Sequence, residues 1–405
     1  MTDATQPRMA LGTKLSAGIL AAALFALLAF APFASAAPDP LASGTTTVNL
    51  NKGSLNALKK EGVKVTKVSP AKLKGTTATF KVTGGSLDPT TGAGTVNHSG
   101  GLKFKAGKKS ATVKNLVVDT TKKSVTAKVG GKKMKLASLA GSSFTRSGFG
   151  INLSVNKVKL TSKAAKQLNK KLGLEKVFKA NQLIGKAKSE TQPATVTVLP
   201  VGNMTFNGDV GLLKKLADVE VKLQTLGLTA QSGTTFTGPI TGGTISPAGT
   251  AGVVQSGIGL NLIQNLTLGP STTITLGGMY VDLAAKTITV EVVASSNAES
   301  EGKKPLNLGN LGRSSIADIT IGGVTADPTT RTVSVNSSAV LQPISAEVLE
   351  GFVKVYQGYL VGVILFTEPS KTKAEAEAIA AAKVANDHIK AGDALGTFSF
   401  TAQTQ

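Results

Sequence analysis

The residue with the best local setting for ligand chemistry is His98, in Gly94-Thr-Val-Asn-His-Ser-Gly-Gly-Leu102. It sits between a strand-like stretch and a glycine pair, where the backbone can approach a flat ligand. An imidazole there is a metal ligand or a hydrogen-bonding partner; the competing reading is a turn histidine bonded to its own backbone. The other histidine, His388, closes an Ala/Glu/Lys-rich stretch, where it compensates a helix dipole. With two His and no Cys in 405 residues, the chain has no thiolate nucleophile, disulfide, zinc finger or iron–sulfur cluster, and no three-histidine metal site. The carboxylates of the first half, Asp39, Glu61, Asp88, Asp119, Glu175 and Glu190, are scattered. No phosphate-binding loop, nucleophile elbow or H-E-x-x-H helix is present. The chain therefore reads as a binding protein and not an enzyme.

The elements that must position His98 come in two copies. Asp119-Thr-Thr-Lys-Lys-Ser-Val-Thr-Ala-Lys-Val129 aligns without a gap on Asp282-Leu-Ala-Ala-Lys-Thr-Ile-Thr-Val-Glu-Val292. The segment 84–100 matches 242–257 with one gap, placing Gln255 opposite His98, and 178–185 matches 389–396. Three matches in the same order predict a tandem duplication, with a basic β domain over 37–195 and a second β domain over 196–405. Val125, Ala127 and Val129 alternate with polar residues, Gly130-Gly131 is a turn signal, and Asp-Pro-Thr-Thr turns recur at Asp88 and Asp327. The fold class is mainly β: two tandem antiparallel sandwiches or open barrels, each with a short C-terminal helical segment. The expected helices are capped by Ser162 (to Leu172), by Ser345 (to Tyr356) and by Ser370. The last, spanning about 370–391 and stopped by Gly392, has no counterpart in the first copy and reads as an insertion.

Location and charge follow from composition. Arg8 and Lys14 precede an apolar stretch from Leu15 to Phe30, and Ala34-Ser35-Ala36 is a small-residue cleavage site. Residues 1–36 read as a secretory signal peptide, with the mature chain starting near Ala37 in the extracellular space or cell envelope. No second apolar run of spanning length is expected. Residues 37–200 carry 30 Lys+Arg against 6 Asp+Glu, whereas 201–405 carry 13 against 16. The first half favours an anionic partner such as an acidic wall polymer or lipid headgroups, in a peripheral membrane or wall contact. Its positive charge is nearly all lysine and aromatics are only 4% of the chain. Both facts speak against specific nucleic-acid recognition.

The order of these features, from Gly94-Thr-Val-Asn-His-Ser-Gly-Gly-Leu102 through the lysine-rich strand and the Asp119 hairpin to Phe178-Lys-Ala-Asn-Gln-Leu-Ile-Gly185, resembles the HtaA-type (haem-transport-associated) domain. That family occurs in tandem in secreted and wall-associated proteins. The resemblance implies a β-rich domain that binds haem through a tyrosine with a histidine as its partner. By the closest match Leu58 stands where the tyrosine would be, with Leu216 as its nearest equivalent in the second copy. His98 carries over the histidine, as the residue that would meet haem iron. Lys103 and Lys105 are then the lysines available to the propionates, and Phe104, Phe144, Phe149 and Phe178 are candidates for a pocket wall. Haem binding or uptake at the surface is the function the resemblance implies. A structural or adhesive envelope protein, held to acidic polymer by its lysine-rich domain, is the alternative.

Overall fold

A computed structural model describes residues 38–267, 269–297 and 309–405. The export signal read over 1–36 lies outside the described residues. Two large antiparallel sheets follow one another along the chain. The first contains β1 (Asp39–Leu50), β2 (Val63–Val68), β3 (Lys72–Lys74), β4 (Thr77–Leu87), β5 (Gly94–Ser99), β6 (Gly101–Ala106), β7 (Lys109–Asp119), β8 (Ser124–Val129), β9 (Lys132–Ser147), β10 (Gly150–Leu160) and β11 (Leu183–Pro193). The path β7-β5-β4-β1-β11-β10-β9-β8 returns to β7 through the β7–β8 pairing, so the sheet closes on itself. β6 continues β5 along the same edge of β7, and β2 extends the sheet beyond β6. Closure removes the edges that an open sheet of this length would expose. The expected two tandem, mainly β, antiparallel domains are observed, and closure specifies a barrel among the sandwich and open-barrel forms that turn spacing left open.

The second sheet contains β12 (Val196–Thr197), β13 (Asn203–Gly208), β14 (Val221–Leu226), β15 (Ala230–Ser232), β16 (Thr235–Ile245), β17 (Gly252–Ser256), β18 (Gly259–Asn265), β19 (Ser271–Asp282), β20 (Thr287–Ser296), β21 (Gly309–Asp327), β22 (Thr332–Leu341) and β23 (Ala394–Gln403). It closes in the same way, through β17, which pairs with both β16 and β19. The duplication reaches single residues. Asp119 accepts the backbone N–H of Lys122, three residues on, as Asp282 accepts those of Ala284 and Ala285, and Lys123 and Lys286 end those turns at positive φ. Gly85 and Gly243 lie at φ 109 and 123, where a side chain would meet the carbonyls of Thr95 and Val253 at about 2 Å. The bend that lets β4 and β16 join two strands of a barrel therefore requires glycine in both copies.

Helices cover one end of each barrel. α1 (Lys52–Lys60) is capped by Asn51 and buries Leu58; α2 (Ser162–Leu172) is capped by Thr161 and buries Ala164, Ala165, Leu168 and Leu172. α3 (Val210–Asp218), capped by Asp209, is the second copy of α1 and buries Leu216. The cap of α2 is thus one residue earlier than expected. The larger departure is α4 (Pro343–Thr367), 25 residues long with Gln342 before its first turn, where the sequence suggested a helix from Ser345 to Tyr356. It is long and apolar enough to cross a membrane by length and composition, which corrects the expectation that no second such run exists, and 22% of its most apolar stretch is buried within the molecule. α5 (Lys373–Lys383) starts at Thr372 in a capping box with Glu375 and stops before His388, inside the span of the expected insertion.

Contacts join the two barrels. Arg146 on β9 donates from Nη2 to the Gln405 carbonyl at 2.6 Å, and the Gln405 side-chain amide donates to Thr90 at 3.0 Å. Phe149, in the β9–β10 turn, packs into the core of the second barrel. Asp39, at the start of β1, is buried near Arg146; burial raises its pKa to about 6 against the attraction of the guanidinium.

Candidate functional site

The first barrel is hollow. Its buried apolar residues fall into three clusters, where those of the second form one. Between them runs a cavity of about 430 Å³, within the size range of small-molecule sites. One part is lined by Thr91, Thr120 and Lys123 from turns and by Ser142 and Ser143 within β9, and another by Ser54, Leu55 and Leu58 of α1 and Leu168 of α2. The walls between are apolar, from Val48, Phe80, Val96, Leu102, Phe104 and Phe178 among others. These residues alternate with polar ones along each strand, as the period of two requires.

His98 is on this wall. It lies within β5, not in a turn, and is 6% exposed. Its Nδ1 is 3.2 Å from the Leu116 carbonyl of β7, and its Nε2 is 2.6 Å from Thr46 Oγ1 of β1. A carbonyl only accepts, so Nδ1 carries the proton and Nε2 accepts from the Thr46 hydroxyl. The one Thr46 proton is then used, and Ser189, 2.7 Å away, must donate to Thr46. The chain of bonds runs from Ser189 to Thr46 to His98 to the Leu116 carbonyl. Burial disfavours the imidazolium and lowers its pKa to about 4, against the Leu116 bond, which raises it. The ring is therefore neutral at pH 7, with its tautomer set by a backbone carbonyl and its Nε2 lone pair covered by one hydroxyl. A carbonyl on Nδ1 is the usual outer partner of a histidine that binds metal through Nε2.

The other candidates divide by strand parity. Leu102 and Phe104 of β6 face the cavity, so Lys103 and Lys105 between them face solvent and do not line it. The lysine on the cavity lining is Lys123. Phe104, Phe144 and Phe178 line the cavity, with Phe104 and Phe178 edge to face at 5.6 Å, whereas Phe149 belongs to the neighbouring core. Leu58 is on the lining as well, and offers no donor atom where the resemblance would place a tyrosine. His388 is half exposed, outside either barrel, with Nδ1 2.6 Å from Glu350. Among the described residues no cluster of three His, Asp or Glu can hold a metal ion.

The second barrel shows what this site is built from. The β16–β17 register sets Ser256 opposite Ile240 as β4–β5 sets His98 opposite Val82, so Ser256, and not Gln255, occupies the histidine's place. By the same registers Met204 stands for Thr46 and Phe400 for Ser189. Thr46, Ser189 and Lys123 were not found from sequence: Thr46 and Ser189 are 143 residues apart, and only the pairing of β1 with β11 brings them together. Strand alternation alone does put Thr46 on the same face as Val48.

No family model matches the chain, and no curated protein matches it significantly. Solved structures do. The C-terminal domain of HtaA from Corynebacterium glutamicum matches with a TM-score of 0.33 and 9% identity, over 52% of this chain and 99% of that one. The N-terminal domain of the same HtaA matches with a TM-score of 0.30 and 11% identity, over 50% and 97%. The haem-binding protein HtaB of that organism matches with a TM-score of 0.31 and 13% identity, over 52% and 95%. The chain is thus similar to HtaA and HtaB domains, each of which spans about half of it.

Proposed function

We propose that this is an exported, non-enzymatic binding protein of the cell surface whose first barrel takes up haem. The observation that carries this is a neutral histidine, held by a backbone carbonyl through Nδ1, on the wall of an apolar cavity of about 430 Å³. The residues present fit a haem group in three respects. The cavity walls are apolar and aromatic, Lys123 offers a cation at one end for a propionate, and His98 has the charge state and tautomer of an iron ligand. Haem would supply an iron that accepts the Nε2 lone pair. His98 would give up the Thr46 hydroxyl on binding, and Ser189 would remain as the partner of Thr46. With Leu58 in place of a tyrosine, ligation rests on the histidine alone. Lys103 and Lys105, on the outer surface, have no part in this.

The test is a titration of the full mature chain with haemin, followed by visible absorption, alongside iron-free protoporphyrin followed by fluorescence. Expected are a saturable Soret shift in 0.15 M and 0.5 M salt, its loss in His98→Ala, and protoporphyrin binding that this variant retains. No saturable shift, or one that His98→Ala leaves intact, overturns the reading.

A further inference from the structure

The outer face of β2, β6, β7, β8 and β9 carries lysines in register. Lys114 is directly opposite Lys128, and Lys128 directly opposite Lys133, so three ammonium groups stand in a row across three strands. Lys64 is opposite Lys105 on the same face, with Lys103 two residues along the strand. Like charges directly opposite one another destabilise a sheet. Here nothing offsets them: among the described residues none of these lysines has an ion pair, and these strands carry no carboxylate until Asp119, which is turned to Lys122. A merely soluble surface would alternate signs, and the second barrel does. The row equivalent to Lys114, Lys128 and Lys133 is Gly277, Glu291 and Arg313, with Arg313 3.4 Å from Glu291 and lying over the Tyr280 ring. The positions of Lys103 and Lys105 are taken there by Asn261 and Ile263.

We infer that this face of the first barrel is a docking surface for a flexible linear polyanion, whose successive anionic groups meet ammonium groups about 5 Å apart across the strands. Lysine supplies point charges on flexible stems, suited to a chain of phosphodiesters without fixed orientation. A bilayer is the poorer occupant because the exposed large hydrophobic residues among those described all lie at Val201 or later, leaving no apolar anchor on this face. A nucleic acid is poorer still: Phe104, the aromatic of β6, faces inward, and the face has no arginine. This surface is separate from the cavity, so its failure and that of the haem reading are distinguishable.

The experiment measures binding of the full mature chain to poly(glycerol phosphate), to phosphatidylglycerol vesicles and to a single-stranded deoxyoligonucleotide of matched charge. It compares the native chain with K114Q/K128Q/K133Q and with the charge-matched control K163Q/K354Q/K383Q. Expected is polymer binding that weakens about tenfold in the row variant and less than about twofold in the control, and that falls steeply with salt. The row variant should also melt at the same or a higher temperature, which excludes misfolding as the cause. Equal losses in both variants, absence of polymer binding, or tighter binding to vesicles or oligonucleotide would each overturn the inference.

Discussion

The two barrels share strand order, registers and turn geometry, yet one encloses a cavity of about 430 Å³ and the other one of about 200 Å³. The difference is a matter of a few inward positions. Val48, Ala78 and Ala187 of the first barrel correspond by register to Phe206, Phe236 and Phe398 of the second. There the three rings stack, with centroids 5.9 Å and 4.6 Å from Phe206. Thr46 and Ser189 correspond to Met204 and Phe400 in the same way. Small and polar side chains widen the lumen of one copy, and phenylalanines narrow it in the other, while the hydrogen-bonded frame is left alone. Volume and polarity in a barrel of this kind are thus set by side chains that the backbone does not dictate.

The strongest way to break this comparison is Phe398→Ala, which should cost the second barrel about 3–5 kcal/mol, read by urea unfolding. A loss below about 1 kcal/mol would mean that the stack is not what closes the lumen. Next in size is the pH dependence of the polar site. His98 titrates near 4 when folded and near 6.5 when unfolded, so its contribution to stability is complete above pH 6.5 and is lost as pH falls toward 4, by up to about 3 kcal/mol. Asp39 runs the other way: with its pKa raised to about 6, its contribution is complete below about pH 4 and fades as pH rises to 6. The quantity to measure is therefore the difference between native chain and His98→Gln at each pH, which should change across that window and be flat above it.

Ala187→Phe should import the Phe398 solution into the first barrel. Haemin affinity is expected to fall at least about tenfold, with thermal stability held or raised. Retained haemin binding would place the ligand outside the lumen. The smallest effect is expected for Glu291→Lys, which sets a lysine directly opposite Arg313 and so places two like charges side by side in the second barrel. Because the Glu291–Arg313 pair is about half exposed, the cost should stay below about 1 kcal/mol and shrink with salt. A larger, salt-independent loss would show that the row is a packing feature and not a charged one.

Much of the frame was legible in the sequence. The Asp119 and Asp282 turns, the glycine pairs and the alternation through Val125 to Val129 are local signals, and they suffice to locate two β domains and the duplication. Closure was not legible, because it depends on β7 meeting β8 and β17 meeting two strands at once, a property of accumulated twist. His98 stood out, while Thr46 and Ser189, its partners from β1 and β11, did not, because they lie 143 residues apart on strands that meet only in the folded sheet. A gapped alignment set Gln255 opposite the histidine; register, which counts hydrogen bonds and not letters, sets Ser256 there. Lys103 and Lys105 were misplaced for a simpler reason, since proximity along a strand says nothing of side, and odd positions of β6 point away from even ones. The C-terminal reach of α4 was hidden by its composition: Gly358 and Gly362 weaken helix propensity in isolation, and the helix forms because Phe352, Val353, Leu360 and Ile364 pack inward.

The seam between the barrels has a consequence for how the chain comes apart. Phe149 is donated by one barrel to the core of the other, and Arg146 finds its carbonyl partner on Gln405. Cutting at residue 195 would strip a phenylalanine of its surroundings and leave a buried guanidinium without its acceptor. The copies are then not beads on a string. Denaturation should proceed as one coupled transition, or as two whose midpoints shift together when Phe149 or Arg146 is changed, so that the ligand-filled state of the hollow copy lends resistance to unfolding to the filled one.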